Sequence, residues 1–536
     1  MQRLSPSFFS KRAPLPWVGA KRRKASVTIL TAFLLLLMSG FTGCSGLPEE
    51  FEKSSSSALR DNTSTTLGNN IAKIAANHPG ESGFVLLRYG RDAFNLRVGL
   101  TDIAEKTLDV QVYIWEADET GRIFAERLLQ AADRGVRVRI LVDDLGLRAS
   151  DSIVAAMDAH PNMEVRIFNP FANRNSRVFD FIFDLGRVNH RMHNKIFIVD
   201  NSAAIVGGRN IGDHYFSVNQ DTNFRDLDIG AIGPIVPDIS EVFDHFWQGE
   251  WSFPIHVLVE SPPSNEEVKL LQTRLRTEIE SGSYPYDIEQ DQAALFQYLA
   301  DNSGQFIWAR GQIVWDDPAP EDASSGPANR TRIASSLDGK VKTLKHSLDI
   351  ESAYFVIGDG GVAEIQELID RGVRVRILTN SLASNDVLAA HAGHAQYRKK
   401  ILKTDAELYE LRPDSAVIKK TWVGESRAGL HTKALVFDEE SIFVGSYNLD
   451  PRSANINTEA GLYVESEELA AQLLEYMEDG KHPENAYQLF LDDRGDLGWI
   501  SLENGEQVRY EVDPHSSWGQ RFMTRFIGLL PIESQL

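Results

Sequence analysis

His193 and Lys195 stand two residues apart, as do His431 and Lys433, and each pair opens the same longer pattern. The pattern is His-x-Lys, four residues, Asp, six residues, then Gly-x-x-Asn, running to Asn210 in the first copy and Asn448 in the second. On an extended strand, side chains two apart point the same way, so each copy projects one imidazole and one ammonium together. Such a pair suits phosphate chemistry: the ammonium holds phosphoryl oxygens, and the imidazole attacks phosphorus or carries a proton. Asn210 and Asn448, each just past a glycine-bearing turn, can donate amide hydrogens to the same oxygens. Two histidines, two lysines and two asparagines make an electrostatic cradle of phosphodiester size. One such short motif would be weak evidence, whereas two complete copies are strong.

The candidate catalytic set of the two motifs is therefore His193, Lys195, Asp200, His431, Lys433 and Asp438. Parity separates the aspartates from the rest. Each lies an odd number of residues from its histidine, so on a regular strand it faces the other way. Asp200-Asn201-Ser202 and Asp438-Glu439-Glu440 read as tight connections, where Asp commonly accepts bonds from backbone amides. Both aspartates are expected to be structural rather than proton carriers.

The elements that must position these residues are also duplicated. Arg134–Leu141 recurs identically as Arg371–Leu378, and Leu108–Tyr113 recurs loosely as Leu348–Tyr354. The interval from His193 to His431 falls between the intervals of these two pairs, so one long unit has been repeated, not a short solenoid period. Within each unit an alternating strand is followed by a helical stretch, Gly121 to Asp133 or Gly361 to Asp370, and then by the Val-Arg-Val-Arg-Ile strand. That order is a βαβ unit, and the fold class is α/β.

Composition narrows the function. The 536 residues are 42% hydrophobic and 24% charged, which fits two or three globular domains and not a disordered or multi-span chain. Asp+Glu number 76 against 55 Lys+Arg, for a formal net charge of −21, which disfavours nucleic acid as a partner. The single cysteine excludes an internal disulfide and a cysteine-based zinc cluster. His391 and His394 lack the companion carboxylate spacing of a metal site and read as a helix-face pair, so no metal is expected. Arg398-Lys399-Lys400 reads as a solvated basic cluster or a lipid-headgroup contact.

Residues 1–44 carry a basic start (Arg3, Lys11, Arg12, Lys21, Arg22, Arg23, Lys24) and an apolar run from Val27 to Met38, the order of an export signal. Phe41-Thr42-Gly43-Cys44-Ser45 resembles a bacterial lipobox, which makes Cys44 the candidate lipidation site; an uncleaved membrane anchor is the alternative. Either places the catalytic domains in the bacterial cell envelope, on the non-cytoplasmic side of a membrane. Pro48 to Leu67 reads as a flexible tether, part of a tether over 45–80.

Taken together, the two motifs, Phe224–Asp228, Leu378–Leu382 and Leu449–Ser453 resemble the phospholipase D superfamily, and within it the C-type bacterial cardiolipin synthases. The resemblance runs from about Gly83 to Leu530. It implies two pseudo-twofold-related phospholipase D-like domains, each a mixed β-sheet flanked by helices, sharing one active site without metal or cofactor. The first domain is expected over 81–265 with its motif at 187–214, a linker and insertion over 266–335, and the second domain over 336–536 with its motif at 425–452. The resemblance points to Asp226 and Glu459 as the carboxylates that orient the imidazoles, with Asp228 a competitor for the first role. It also implies that His193 attacks phosphorus while His431 serves the leaving and entering hydroxyls, an assignment the motif would tolerate reversed.

The implied reaction joins a phosphatidyl group to phosphatidylglycerol, the donor being phosphatidylethanolamine or a second phosphatidylglycerol, at a membrane surface. Cardiolipin would result. A hydrolytic phospholipase D and a non-enzymatic envelope lipoprotein are the alternatives; retention of both complete motifs argues against the second. Trp518, Arg521, Phe522, Arg525, Phe526 and Leu529 recur at helical spacing, as a lipid-interface helix or as a helix docked on the core through its aromatics.

Overall fold

Strand Thr107–Val112, helix Glu119–Asp133 and strand Arg137–Asp143 form the first βαβ unit, and Ser347–Ser352, Gly358–Asp370 and Arg374–Asn380 form its counterpart. The repeated Arg-Gly-Val-Arg-Val-Arg-Ile-Leu segment is a helix stop followed by a strand. Gly135 and Gly372 take φ of 95° and 85°, the left-handed conformation that ends a helix and that costs a side-chain-bearing residue most. Asp118 caps the start of the first of these helices through the Gly121 amide. The strands pair in parallel, Thr107–Val112 with Arg137–Asp143 and Ser347–Ser352 with Arg374–Asn380, as a crossover helix requires.

The computed structural model describes residues 46–48, 50–174, 176–281, 306–318, 332–417 and 426–536. The export segment and Cys44 lie outside the described residues, as does much of the expected linker. Residues 48–536 form one compact unit. Among the described residues no helix is long and apolar enough to cross a membrane.

Each half is a mixed sheet. In the first, Ser82–Leu87, Asp228–Ile232, Ala203–Gly207, Ile196–Val199 and Thr107–Val112 run antiparallel in turn, and Arg137–Asp143 and Met163–Phe168 follow in parallel. In the second, Ala460–Glu465, Ser441–Gly445, Lys433–Phe437 and Ser347–Ser352 repeat that order, followed by Arg374–Asn380 and Glu407–Leu411. Alternation along the motif strands assigns their faces. Phe197 and Val199 join the outer core of the first half, and Leu435 and Phe437 that of the second. Ile196, Ile198, Ala434 and Val436 meet in one central core shared by both halves. The strands are thus buried on both faces and read as apolar runs.

The linker contains the strand that makes the two sheets continuous. Ile307–Trp315 pairs with Ser82–Phe84 through Ile307–Ala309 and with Ala460–Glu465 through Arg310–Trp315. The expectation of a linker and insertion over 266–335 is corrected over its described part, because residues 307–315 form a strand that belongs to both sheets. The tether is corrected in the same way over its described part. Carbonyls of Ser54 and Ser56 accept from Arg166 and Arg139, Lys53 donates to the Gly249 carbonyl, and Thr66–Ala75 is a helix. Two buried arginines thus use the backbone carbonyls of this stretch as acceptors.

Three smaller expectations change. His193 and Lys195 precede their strand, which begins at Ile196, and His431 precedes one that begins at Lys433. Arg398 is not on a solvated face: it is buried and bonded to Glu410 and Asp513, both at 2.7 Å. In the same buried network His394 donates to Glu410 and Arg398 donates to His391. The C-terminal helix Trp518–Ile527 buries only Thr524 and leaves its aromatics outward, so it is not docked through them.

Candidate active site

Both histidines are set by backbone pairing with the opposite half. Thr222–Arg225 of the first half and Arg427–Leu430 of the second form a two-stranded parallel sheet in which Arg225 faces Leu430. The next residues, Asp226 and His431, are therefore neighbours. On the other side of the pseudo-twofold, Met192 and Thr458 form a parallel bridge, and the residues after them are His193 and Glu459. The amide of His193 donates to the Thr458 carbonyl at 2.8 Å, and that of His431 to the Arg225 carbonyl at 2.8 Å.

Each imidazole is consequently oriented by a carboxylate from the other half. Nδ1 of His431 lies 2.6 Å from Asp226 Oδ2, and Nδ1 of His193 lies 2.8 Å from Glu459 Oε2. A carboxylate on Nδ1 directs the ring proton to that nitrogen and leaves the Nε2 lone pair free. The two supports differ in detail. Ser446 donates to Glu459 Oε2 at 2.5 Å. At the matching position of the first motif stands Gly208, where a Cβ would lie 2.1 Å from Asp226 Oδ1.

The lysines close the cradle. Nζ of Lys195 donates to the His193 carbonyl and Nζ of Lys433 to the His431 carbonyl, each at 2.5 Å. Burial holds Lys433 down to about 8, and burial together with the charge of Lys433 takes Lys195 well below the ordinary lysine range. Burial, then the two ammonium groups, hold His193 and His431 well below the usual imidazole range. That the lysine of each motif acts on the histidine of the other places all four groups in one electrostatic site. Burial pushes Glu459 up to about 7 and raises Asp226 as well. A buried site with concentrated positive charge and neutral imidazoles is built to receive an anion.

Asn210 accepts from the Ile114 amide through Oδ1, and among the described residues its buried Nδ2 lacks an acceptor at hydrogen-bond geometry. In Asn448 the buried amide atom without a partner among the described residues is the acceptor, Oδ1. The aspartates of the motifs are elsewhere. Asp200 accepts from the amides of Glu105, Lys106 and Thr107, and Asp438 from those of Lys345, His346 and Ser347. Their place in the candidate catalytic set is corrected, since each carboxylate is used up at the far end of its strand, clamping the turn into a βαβ unit. Asp228 pairs with Arg97 and Arg209 and so does not compete for an imidazole.

Sequence reasoning missed the aromatic walls. Tyr113 meets the His193 ring edge-on with centroids 5.0 Å apart; Tyr215 meets His431 at 5.1 Å, and Phe224 tilts against it at 5.3 Å. Tyr113 follows the repeated strand Thr107–Val112 that runs beside the motif, and Phe224 precedes Asp226 by two, so proximity to motif residues was the available signal. Among the described residues no group of three or more His, Cys, Asp or Glu is arranged to hold a metal ion.

The family model described as cardiolipin synthase, PLD-like domain, matches residues 100–247 and 340–480. The chain is 38% identical over 472 residues to cardiolipin synthase C of Escherichia coli, covering 87% of this chain and 99% of that protein. It is 33% identical over 513 residues to an uncharacterised protein of Helicobacter pylori, covering 95% and 99%. The fold is similar to the crystal structure of phosphatidylserine synthase from Haemophilus influenzae, with TM-score 0.52, 13% identity and coverage of 78% and 92%.

Proposed function

Because this chain belongs to the phospholipase D-like family of cardiolipin synthases, we propose that it is a phosphatidyltransferase that forms cardiolipin from phosphatidylglycerol and a second phospholipid. The observation that carries the reading is the crossed pair of imidazole–carboxylate contacts around two buried lysines, a site that takes one phosphodiester and serves it from both sides.

His193 is the nucleophile. Its Nε2 lone pair attacks phosphorus of the donor, the bond to the headgroup oxygen breaks, and His431 hands that oxygen a proton. Substrate supplies the charge state this needs: the phosphodiester anion offsets the ammonium groups that keep His431 neutral, and Asp226 stabilises the imidazolium. Lys195, Lys433, Asn210 and Asn448 hold the non-bridging oxygens. In the second half-reaction a hydroxyl of phosphatidylglycerol gives its proton to His431 and attacks phosphorus, and the phosphorus–nitrogen bond breaks. The headgroup released first is ethanolamine or glycerol, according to whether phosphatidylethanolamine or phosphatidylglycerol is the donor.

Attachment through Cys44, or through the uncleaved apolar segment, would hold these domains at the non-cytoplasmic face of an envelope membrane. The basic start, apolar run and single cysteine of the sequence support that placement.

The test is mass spectrometry of lipids after incubation with phosphatidylglycerol, with and without phosphatidylethanolamine. A four-chain product is expected, and its dependence on phosphatidylethanolamine would name the donor. Phosphatidic acid as sole product would make the protein a hydrolase and overturn the reading.

A further inference from the structure

Two helical segments beside the site expose apolar side chains that the reaction does not use. Helices Arg177–Phe183 and Leu185–Val188 end just before the segment that carries His193. Val178, Ile182, Phe183 and Leu185 are 64%, 64%, 77% and 51% exposed. At the C-terminus, helix Trp518–Ile527 and the turn after it expose Trp518 at 73%, Phe522 at 52%, Phe526 at 51% and Leu529 at 84%. A capping box between Ser517 and Gln520 fixes where this helix starts.

The two segments are tied to one point on the rim. Asn189, which follows the first segment, donates through Nδ2 to Gln535 Oε1 at 2.9 Å. Arg452 donates to both oxygens of Asn189, at 3.0 and 2.6 Å, and its own amide donates to the Leu536 carbonyl at 2.7 Å. The Arg452 carbonyl accepts from the Asn457 amide at 3.0 Å, and the carbonyl of the next residue, Thr458, accepts from the His193 amide at 2.8 Å, so this junction lies at the site. The charge of the second segment is distinctive: from Pro514 to Ile532 it holds Arg521 and Arg525 and no acid, in a chain of net charge −21.

We propose that these two segments form an interfacial face that seats on a phospholipid bilayer and brings the active-site mouth to the level of the headgroups. The inference rests on the reading of the protein as a phospholipid enzyme. Large aromatics and aliphatics this exposed, with arginine and no acid beside those of the second segment and with Asp184 of the first paired to Arg187, fit the boundary between acyl chains and anionic headgroups. The acidic remainder of the surface is repelled by the same headgroups, so insertion of this one face also orients the molecule. A membrane attachment near residue 44 would hold the protein close; this face would set its angle.

The test uses the full chain in phosphatidylglycerol vesicles whose acyl chains carry bromine. The fluorescence difference between the parent and Trp518→Phe reports Trp518 alone and is expected to be quenched. In parallel, a Phe183→Ser, Phe522→Ser double variant is expected to lose about tenfold or more of its activity on vesicles while keeping parental activity on dispersed short-chain phosphatidylglycerol. An unquenched Trp518 would overturn the proposal, and concentration-dependent self-association alongside it would assign the face to a second copy. Equal loss on both substrates, or no loss on either, would also overturn it. If the parent acts on neither substrate, the functional reading fails, and quenching still decides the face.

Discussion

Glu459 Oε2 lies 2.8 Å from Nδ1 of His193, a residue 266 positions away and in the other half of the molecule. Its counterpart contact, Asp226 to His431, crosses in the opposite direction. Neither half holds a complete imidazole–carboxylate pair, so the two must be docked in register for either histidine to be oriented. The parallel pairing of Arg225 with Leu430 and of Met192 with Thr458 supplies that register through backbone bonds, which tolerate side-chain change elsewhere.

His193→Ala and His431→Ala should each lower turnover by about 10³-fold or more with the fold intact. They should separate on a substrate with a good leaving group. His431→Ala, lacking only the proton carrier, should still accumulate a phosphatidyl adduct on His193, detectable by peptide mass spectrometry. His193→Ala should not, and an adduct on His431 in that variant would reverse the roles.

The pH dependence follows from Glu459 at about 7 and Lys433 at about 8 in the free enzyme. Below the first value the carboxyl is neutral and no longer stabilises a charged imidazole, so kcat/KM falls as pH falls. Above the second, the Lys433 ammonium is lost, and Lys195, itself held well below the ordinary lysine range, does not replace it, so kcat/KM falls as pH rises. A narrow bell is expected, and Glu459→Gln should lower the maximum and remove the acid limb. An unchanged acid limb in that variant would assign the limb to another group.

Gly208→Ala should impair catalysis without unfolding the protein. The new Cβ would meet Asp226 Oδ1 at 2.1 Å and push the carboxylate off His431. Displacements near an ångström cost about 10²-fold in rate, seen in kcat with little change in KM. A Gly208→Ala enzyme of parental kcat would show that Asp226 can move without consequence.

Asp200→Ala should cost about 2–4 kcal/mol in chemical denaturation, because three amide donors lose their acceptor, while the folded fraction keeps its turnover. Asp438 adds a pH signature. Burial opposes its charge, but the amide bonds outweigh this and hold it below the usual carboxylate range. A depressed folded-state pKa gives stability that is present above the unfolded value, near 4, and lost as pH falls through the folded one. The penalty of Asp438→Ala should therefore shrink in acid; a constant penalty would contradict the amide clamp.

The sequence by itself determined the duplicated βαβ units, the paired His-x-Lys motifs and the outward role of Asp200 and Asp438, because these rest on local periodicity and parity. The period-two alternation of side chains makes Ile196 and Ile198 point opposite to Phe197 and Val199 wherever the strand lies, and Gly135 and Gly372 end their helices for reasons of backbone conformation alone. What joins distant segments was decided only by the tertiary structure. No local signal says that Glu459 serves His193, that Asp228 belongs to Arg97 and Arg209, or that Ile307–Trp315 bridges two sheets. Nor does the sequence say that Trp518 and Phe183 face solvent beside the same junction. Those relations depend on which backbone edges find one another, a choice made by the summed burial of the shared central core and not by any one residue's neighbours.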